Sequence, residues 1–211
     1  MELPELGDAI RKRFDDKTSA RERGLSSSRA AIRSCGNAIR AMHRYEGDRA
    51  EELLGEAKAA LDEARSALGP HPELLHAGFV HDAEKEYAEG RITYSLVTGA
   101  GFPGPDELSV SVAAFMKGMA ESIGEIRRHI LDLMRRGDLK RCEELLGSMD
   151  EMYYLLTSMD YPDGITLGLR RLTDVARSII ERTRGDYTTS KIQFSLRRAL
   201  EEHSGALEQR G

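Results

Sequence analysis

With 211 residues, 40 % of them hydrophobic, 32 % charged, 6 % aromatic and no Trp, the chain has the make-up of long amphipathic helices rather than of a β-sandwich. Its net charge of -5 excludes attraction to nucleic acid by the surface as a whole, and its two cysteines, Cys35 and Cys142, fit neither a metal knuckle nor a disulfide framework. No apolar run approaches the roughly 18 residues of a membrane span, and MELPELGDAIRKRFDD lacks the apolar stretch of a signal peptide, so a cytoplasmic protein with no membrane partner and two reduced core thiols is expected.

The periodicity predicts an all-α fold, a single-domain bundle of about seven helices over residues 1–211, with 1–24 and 204–211 expected to fray. The first helix runs from near Pro4 to Tyr45, with a break expected around Gly24 to Ser28, where Ser26, Ser27 and Ser28 read as a cap. Ten cations from Arg11 to Arg44 fall in this first quarter of the chain, which leaves room for a local basic surface. Gly47 and Asp48 make a turn in which Asp48 can cap a second helix that ends near Gly69 and Pro70. A third helix spans 72–98. TGAGFPGPDE, residues 98–107, is the clearest loop and leads into a long helix over 106–136. After the RRGD turn another helix covers 138–158, YPDG at 161–164 is a turn with Pro at its second position, and two last helices are divided near RGDYT at 184–188.

Two acidic pairs stand out. Glu86 and Glu89 on the third helix, and Glu121 and Glu125 on the fourth, are spaced so that each pair shares one side of its helix. On the wheel Glu86 interrupts the face of Phe79, Ala83, Gly90, Tyr94 and Val97, where a carboxylate is partly desolvated and calls for a cation or a donor. Glu89 lies to the side, beside Thr93. On the fourth helix Val112, Met116, Met119, Ile123, Ile126 and Ile130 form the apolar stripe, and Glu121 and Glu125 point the other way with Lys117, Arg128 and Asp132. The residues alone leave two readings open: a solvated face laced with ion pairs, or a cavity wall where the four acids meet as a hard oxygen site of the kind that holds Mg2+. Such a site is suited to phosphodiester hydrolysis. The histidines include no HExxH and no close zinc pair, and GAGFPG lacks the strand and lysine of a phosphate-binding loop.

In context, these residues resemble the translin family, and its translin-associated factor X (TRAX) branch more than translin itself. SRAAIRSCGNAIRAMHR is similar to the family's N-terminal segment at Ser28, Arg29, Ile39, His43 and Arg44. The E-Y-x-E segment falls at Glu86, Tyr87 and Glu89. The G-x-A-D-x-x-G-E segment with its later G-D falls at Gly118, Ala120, Glu121, Gly124, Glu125, Gly137 and Asp138. The resemblance covers about residues 25 to 186 and implies an all-α bundle of seven helices that assembles into a hollow octamer. It also implies a metal-dependent endoribonuclease acting on RNA inside that shell, with Glu86, Glu89 and Glu121 as ligands of Mg2+ or Mn2+ and Glu125 supporting the metal or its water. Arg29, Arg33, Arg40, His43, Arg44 and Arg128 are the candidates for phosphate contacts to RNA or single-stranded DNA. One departure is visible: the third acid is usually Asp in the family and here is Glu121. The alternative is a non-catalytic, nucleic-acid-binding oligomer, the role translin itself plays.

Overall fold

The computed structural model describes residues 2–208, and among these the chain forms nine helices and no strand. Six are long: α1 Leu3–His43, α2 Gly47–Leu68, α4 Gly78–Thr98, α6 Val112–Arg136, α7 Leu139–Ser158 and α9 Leu169–Glu208. Three are single turns: α3 Pro72–Leu75, α5 Pro105–Leu108 and α8 Asp163–Thr166. None of the helices is long and apolar enough to cross a membrane. The helices group into two compact units, up to Met119 and from Ala120 onward, and the division falls inside α6 rather than in a linker.

The first unit is built on α1, α2 and α4. Along α1, Gly24, Ala31 and Ala38 recur every seven residues beside Ser28, Cys35 and Met42; along α2, Ala50, Ala57 and Ala64 recur beside Leu54, Leu61 and Leu68. All twelve are buried. This is a coiled-coil seam in which one row is small, so the two backbones approach closely and the leucines fill what remains. A side chain at Gly24 would meet Leu68 at 2.7 Å. That contact explains why α1 runs unbroken through the expected break at Gly24 to Ser28: Gly24, Ser27 and Ser28 are small residues of a packed face, not a cap. The helix begins at Leu3, so residues 3–24 belong to it as well, while residues 209–211 of the fraying expected at the other end lie outside the described residues.

Two other expected helices are divided. The span 72–98 is split at His76 and Ala77 between α3 and α4, and 106–136 is split between α5 and α6 by Ser109, whose φ of 54° lies in the left-handed region. A buried ion pair holds the second interruption. Arg65 of α2 donates to Glu84 of α4 at 2.8 Å and also to the carbonyl of Ser109, while the other Glu84 oxygen accepts from the backbone N–H of Ser111 at 3.1 Å. The side chains are 25 % and 12 % exposed, so a carboxylate withdrawn from water ties α2 and α4 to the backbone that feeds α6. Removing one partner of a buried pair costs roughly 3–5 kcal/mol, and the partial exposure of Arg65 reduces the expected loss for Glu84→Ala to about 2 kcal/mol. Urea unfolding of the variant measures it, and a loss under about 0.5 kcal/mol would mark the pair as an ordinary surface contact.

The second unit takes the remainder of α6 with α7 and α9. Ile123, Ile126 and Ile130 are fully buried as the stripe predicts, and the Cys142 thiol donates to the carbonyl of Ile130 at 3.6 Å. The other end of that stripe, Val112, is 65 % exposed because it starts the helix. Both cysteines are free and buried, and burial pushes Cys142 up to about 11. The division expected at 184–188 is absent, and α9 passes straight through Gly185. Arg127 explains it by donating to Thr183 at 3.0 Å and to Asp186 at 2.8 Å, while Arg184 pairs with Asp150 and Tyr187 is buried. These contacts outweigh the roughly 1 kcal/mol that a mid-helix glycine costs. Of the apolar cluster on α7, Met152 and Leu156 are core, whereas Tyr154 is 78 % and Leu155 42 % exposed.

Candidate metal centre

The approach of α4 to α6 is set by Gly118. A Cβ there would lie 2.6 Å from the Lys85 carbonyl oxygen, 2.8 Å from the Glu89 nitrogen and 2.9 Å from the Ala88 Cβ, so the bare backbone of α6 rests on the 85–89 stretch of α4. One turn further along the same unbroken helix is Glu121. One carboxylate oxygen each from Glu86, Glu89 and Glu121 lie within 4.8 Å of one another. Glu89 is only 8 % exposed, and the other two are half-buried. The wheel had made Glu86 the desolvated acid with Glu89 to its side. The order is reversed because the backbone of α6 covers the Ala88 and Glu89 side of α4. Glu125, one further turn along α6, is half-buried and stands outside the group of three.

Other groups surround the acids. The Lys85 ammonium lies 3.0 Å from a Glu86 oxygen, with 15 % of its side chain exposed. On α1, the Cys35 thiol is pushed well above its usual range, chiefly by burial and then by the charges of Glu86 and Glu89. Thr93, one turn beyond Glu89 on α4, has a fully buried hydroxyl without a hydrogen-bond partner. One turn before Lys85, burial holds the His81 imidazole below its usual range, and Lys117 adds to the effect.

The donor set fits a hard divalent cation. Three carboxylate oxygens are the ligand type that Mg2+ and Mn2+ prefer, and ligands around one Mg2+ stand roughly 3–4.2 Å apart, within a small side-chain adjustment of the observed grouping. Among the described residues no Cys or His joins the group, which leaves it without the ligands that softer metals prefer.

The basic candidates form a separate surface. Arg29, Arg33, Arg40 and Arg44 are all exposed and fall within about 60° on the wheel of α1, on the side roughly opposite Cys35. Arg29 and Arg33 have no ion-pair partner among the described residues. Arg40 donates to Asn37 at 2.6 Å, and Arg44 is held by both oxygens of Glu46 at 2.9 and 2.7 Å, which raises the Arg44 pKa and lowers that of Glu46. His43 is half-buried, and Arg128 is exposed on α6. Within one chain the arginine row therefore does not line the acidic group.

Three residues around the site escaped the sequence reading. Glu84 and Arg65 lie 19 positions apart, and Lys85 precedes Glu86 directly, a spacing that carries no helical pairing signal. The only available clue was an excess of carboxylates on the buried side of α4.

No family model matches the sequence. An uncharacterised protein of Methanocaldococcus jannaschii is 30 % identical over 196 residues, which span 92 % of this chain and 86 % of that protein. Among solved structures, AfC3PO in complex with duplex RNA superposes with a TM-score of 0.82 at 32 % identity, over 88 % of this chain and 96 % of that one. A crystal structure of AfC3PO gives the same TM-score and identity with 97 % of that chain covered. Apo-NeC3PO, 18 % identical over 90 % of this chain and 99 % of that one, shares the fold with a TM-score of 0.80.

Proposed function

Since the chain belongs to the translin family, we propose that it is a metal-dependent endoribonuclease of the TRAX type, cleaving RNA phosphodiesters. The observation that carries this reading is the meeting of Glu86, Glu89 and Glu121 within 4.8 Å, on helices whose acidic motifs resemble that branch in order and spacing, with Glu121 in place of its usual Asp. AfC3PO, at 32 % identity, has been solved with duplex RNA, which supports RNA as the ligand class.

Glu86, Glu89 and Glu121 would hold Mg2+ or Mn2+, and Glu125, half-buried one turn away, would orient the water that attacks phosphorus. The bound cation would supply Lewis-acid polarisation of the phosphodiester and a more acidic water. Glu89 is the least exposed of the three and is backed by α6, so its carboxylate is presented with little freedom to move. The exposed arginines of α1 provide salt-dependent phosphate contacts. Because they lie away from the acids of their own chain, they serve RNA in an assembly of copies, for which an octamer is the expected form and the cytoplasm the expected location.

Incubating the purified protein with single-stranded and structured RNA in Mg2+ or Mn2+ tests the reading. Endonucleolytic products that disappear with EDTA are expected. Tight binding without cleavage in either metal would instead identify a non-catalytic RNA- or DNA-binding oligomer.

A further inference from the structure

From Leu3 to Asp16 every residue of α1 except Gly7 is exposed, although the helix runs without a break into the buried seam. The cause is the shortness of α2, which ends at Leu68, the residue that meets Gly24. Glu73 of α3 still reaches Lys17 at 2.7 Å, and before that residue α1 projects about 20 Å into solvent. The projection is not polar all round. Leu3, Leu6, Ile10 and Phe14 are 82, 37, 44 and 65 % exposed and fall within about 80° of one another on the wheel. Leu6 precedes Gly24, and Ile10 precedes Ser28, by about five whole turns, so the stripe continues the side of α1 that is buried further on. An apolar stripe of this kind belongs to a helix that has a partner.

We propose that this stripe pairs antiparallel with the same stripe of a second copy of the chain, about a two-fold axis near Asp8 and Ala9. The charges select both the occupant and the direction. Glu2, Glu5 and Asp8 form an acidic block, and Arg11, Lys12 and Arg13 form a basic one just after it. A parallel pair sets like blocks side by side, whereas antiparallel pairing sets each acidic block against the basic block of the other copy. The same register lays Leu3 against Phe14 and Leu6 against Ile10, so one alignment satisfies apolar residues and charges together. Glu2 and Arg13 flank the stripe on one side, about 20° apart on the wheel, where they face each other across the pair. Asp15 and Asp16 fall opposite the start of the other helix, whose dipole favours carboxylates. Within one copy Arg11 already pairs with Asp8, while Lys12 and Arg13 have no ion-pair partner among the described residues. The surface uses none of the acids of α4 and α6, so its failure would leave the metal-dependent reading untouched.

Charge reversal tests the pairing. One variant carries Glu2→Lys, Glu5→Lys and Asp8→Lys, and the other carries Arg11→Glu, Lys12→Glu and Arg13→Glu. Each alone makes the facing blocks alike in sign, and sedimentation velocity should show self-association weakened at least about tenfold. An equimolar mixture restores opposite blocks and should recover the wild-type association, which a loss of folding would not predict. Cysteine cross-linking reads the direction without touching the charges. Under mild oxidation, copies with Leu6→Cys and copies with Ile10→Cys should form a disulfide-linked dimer when mixed and neither should when alone, the native Cys35 and Cys142 being buried. Wild-type association of both charge variants, a mixture that stays dissociated, or a disulfide formed by Ile10→Cys alone overturns the inference. The rival surface is the far end of α9, where Leu196 and Leu200 are 59 and 58 % exposed. Loss of association in Leu196→Ser with Leu200→Ser, and no disulfide between the α1 variants, would place the stripe on α9 of another copy and overturn the antiparallel pair.

Discussion

Glu89→Gln and Glu121→Gln are each expected to lower Mg2+-stimulated RNA cleavage by at least about 100-fold, with helicity and assembly unchanged. Gln keeps the volume and one oxygen of Glu but removes the charge that a hard divalent cation selects. The three oxygens lie within 4.8 Å of one another, so replacing one charged ligand by a neutral amide weakens the hold on the ion and shifts its position. A melting temperature within about 3 °C of wild type is the expected control. Glu125→Gln should cost less, roughly 10–100-fold, since Glu125 lies outside the group and acts on the water rather than holding the ion. Full cleavage by both Glu89→Gln and Glu121→Gln would sink the assignment of the acids, and a loss of helicity would mean that the carboxylates hold the fold instead.

Gly118→Ala is expected to lower stability by about 1–3 kcal/mol and to weaken Mn2+ binding by at least about tenfold, although alanine is the better helix former. The new Cβ would stand 2.6 Å from a carbonyl oxygen and 2.8 Å from an amide nitrogen of α4, and backbone cannot rotate away as a side chain can. The helices must therefore separate, carrying Glu121 away from Glu86 and Glu89, and displacements of about 1 Å can cost two orders of magnitude in a reaction that depends on positioning. Gly124 provides the internal comparison. A Cβ there first meets Ile179 Cδ1 at 4.0 Å, so Gly124→Ala should gain helix propensity and leave metal binding intact. Equal behaviour of the two variants in thermal melts and Mn2+ titration would show that the approach of α4 to α6 does not position the acids.

Much of the architecture was legible because long helices are announced by periodic apolar residues. The isoleucine stripe of α6 appears where the pattern puts it, whereas the loop expected at 98–107 is confined to 99–104, because Pro105 to Glu107 enter the single turn α5. The expected breaks at Gly24 to Ser28 and at 184–188 failed for one reason: local glycine and serine signals were overridden by contacts from elsewhere in the chain, Leu68 in the first case and Arg127 in the second. The divisions at Ser109 and at His76 were missed in the opposite sense. At Ser109 the partners, Arg65 and Glu84, lie 44 and 25 positions away, beyond any local window.

The acids separate in the same way. Their identity, their helical spacing and the family they resemble could be read from the chain, because spacing along a helix translates directly into a shared side. Which of them is buried could not, since the wheel orients a side chain about its own helix but says nothing of what lies opposite. Only the packing of α6 through Gly118 put Glu89 under cover, brought Glu121 to it and left Glu125 outside. Sequence determined which carboxylates are available; the closeness of two helix backbones decided which of them meet.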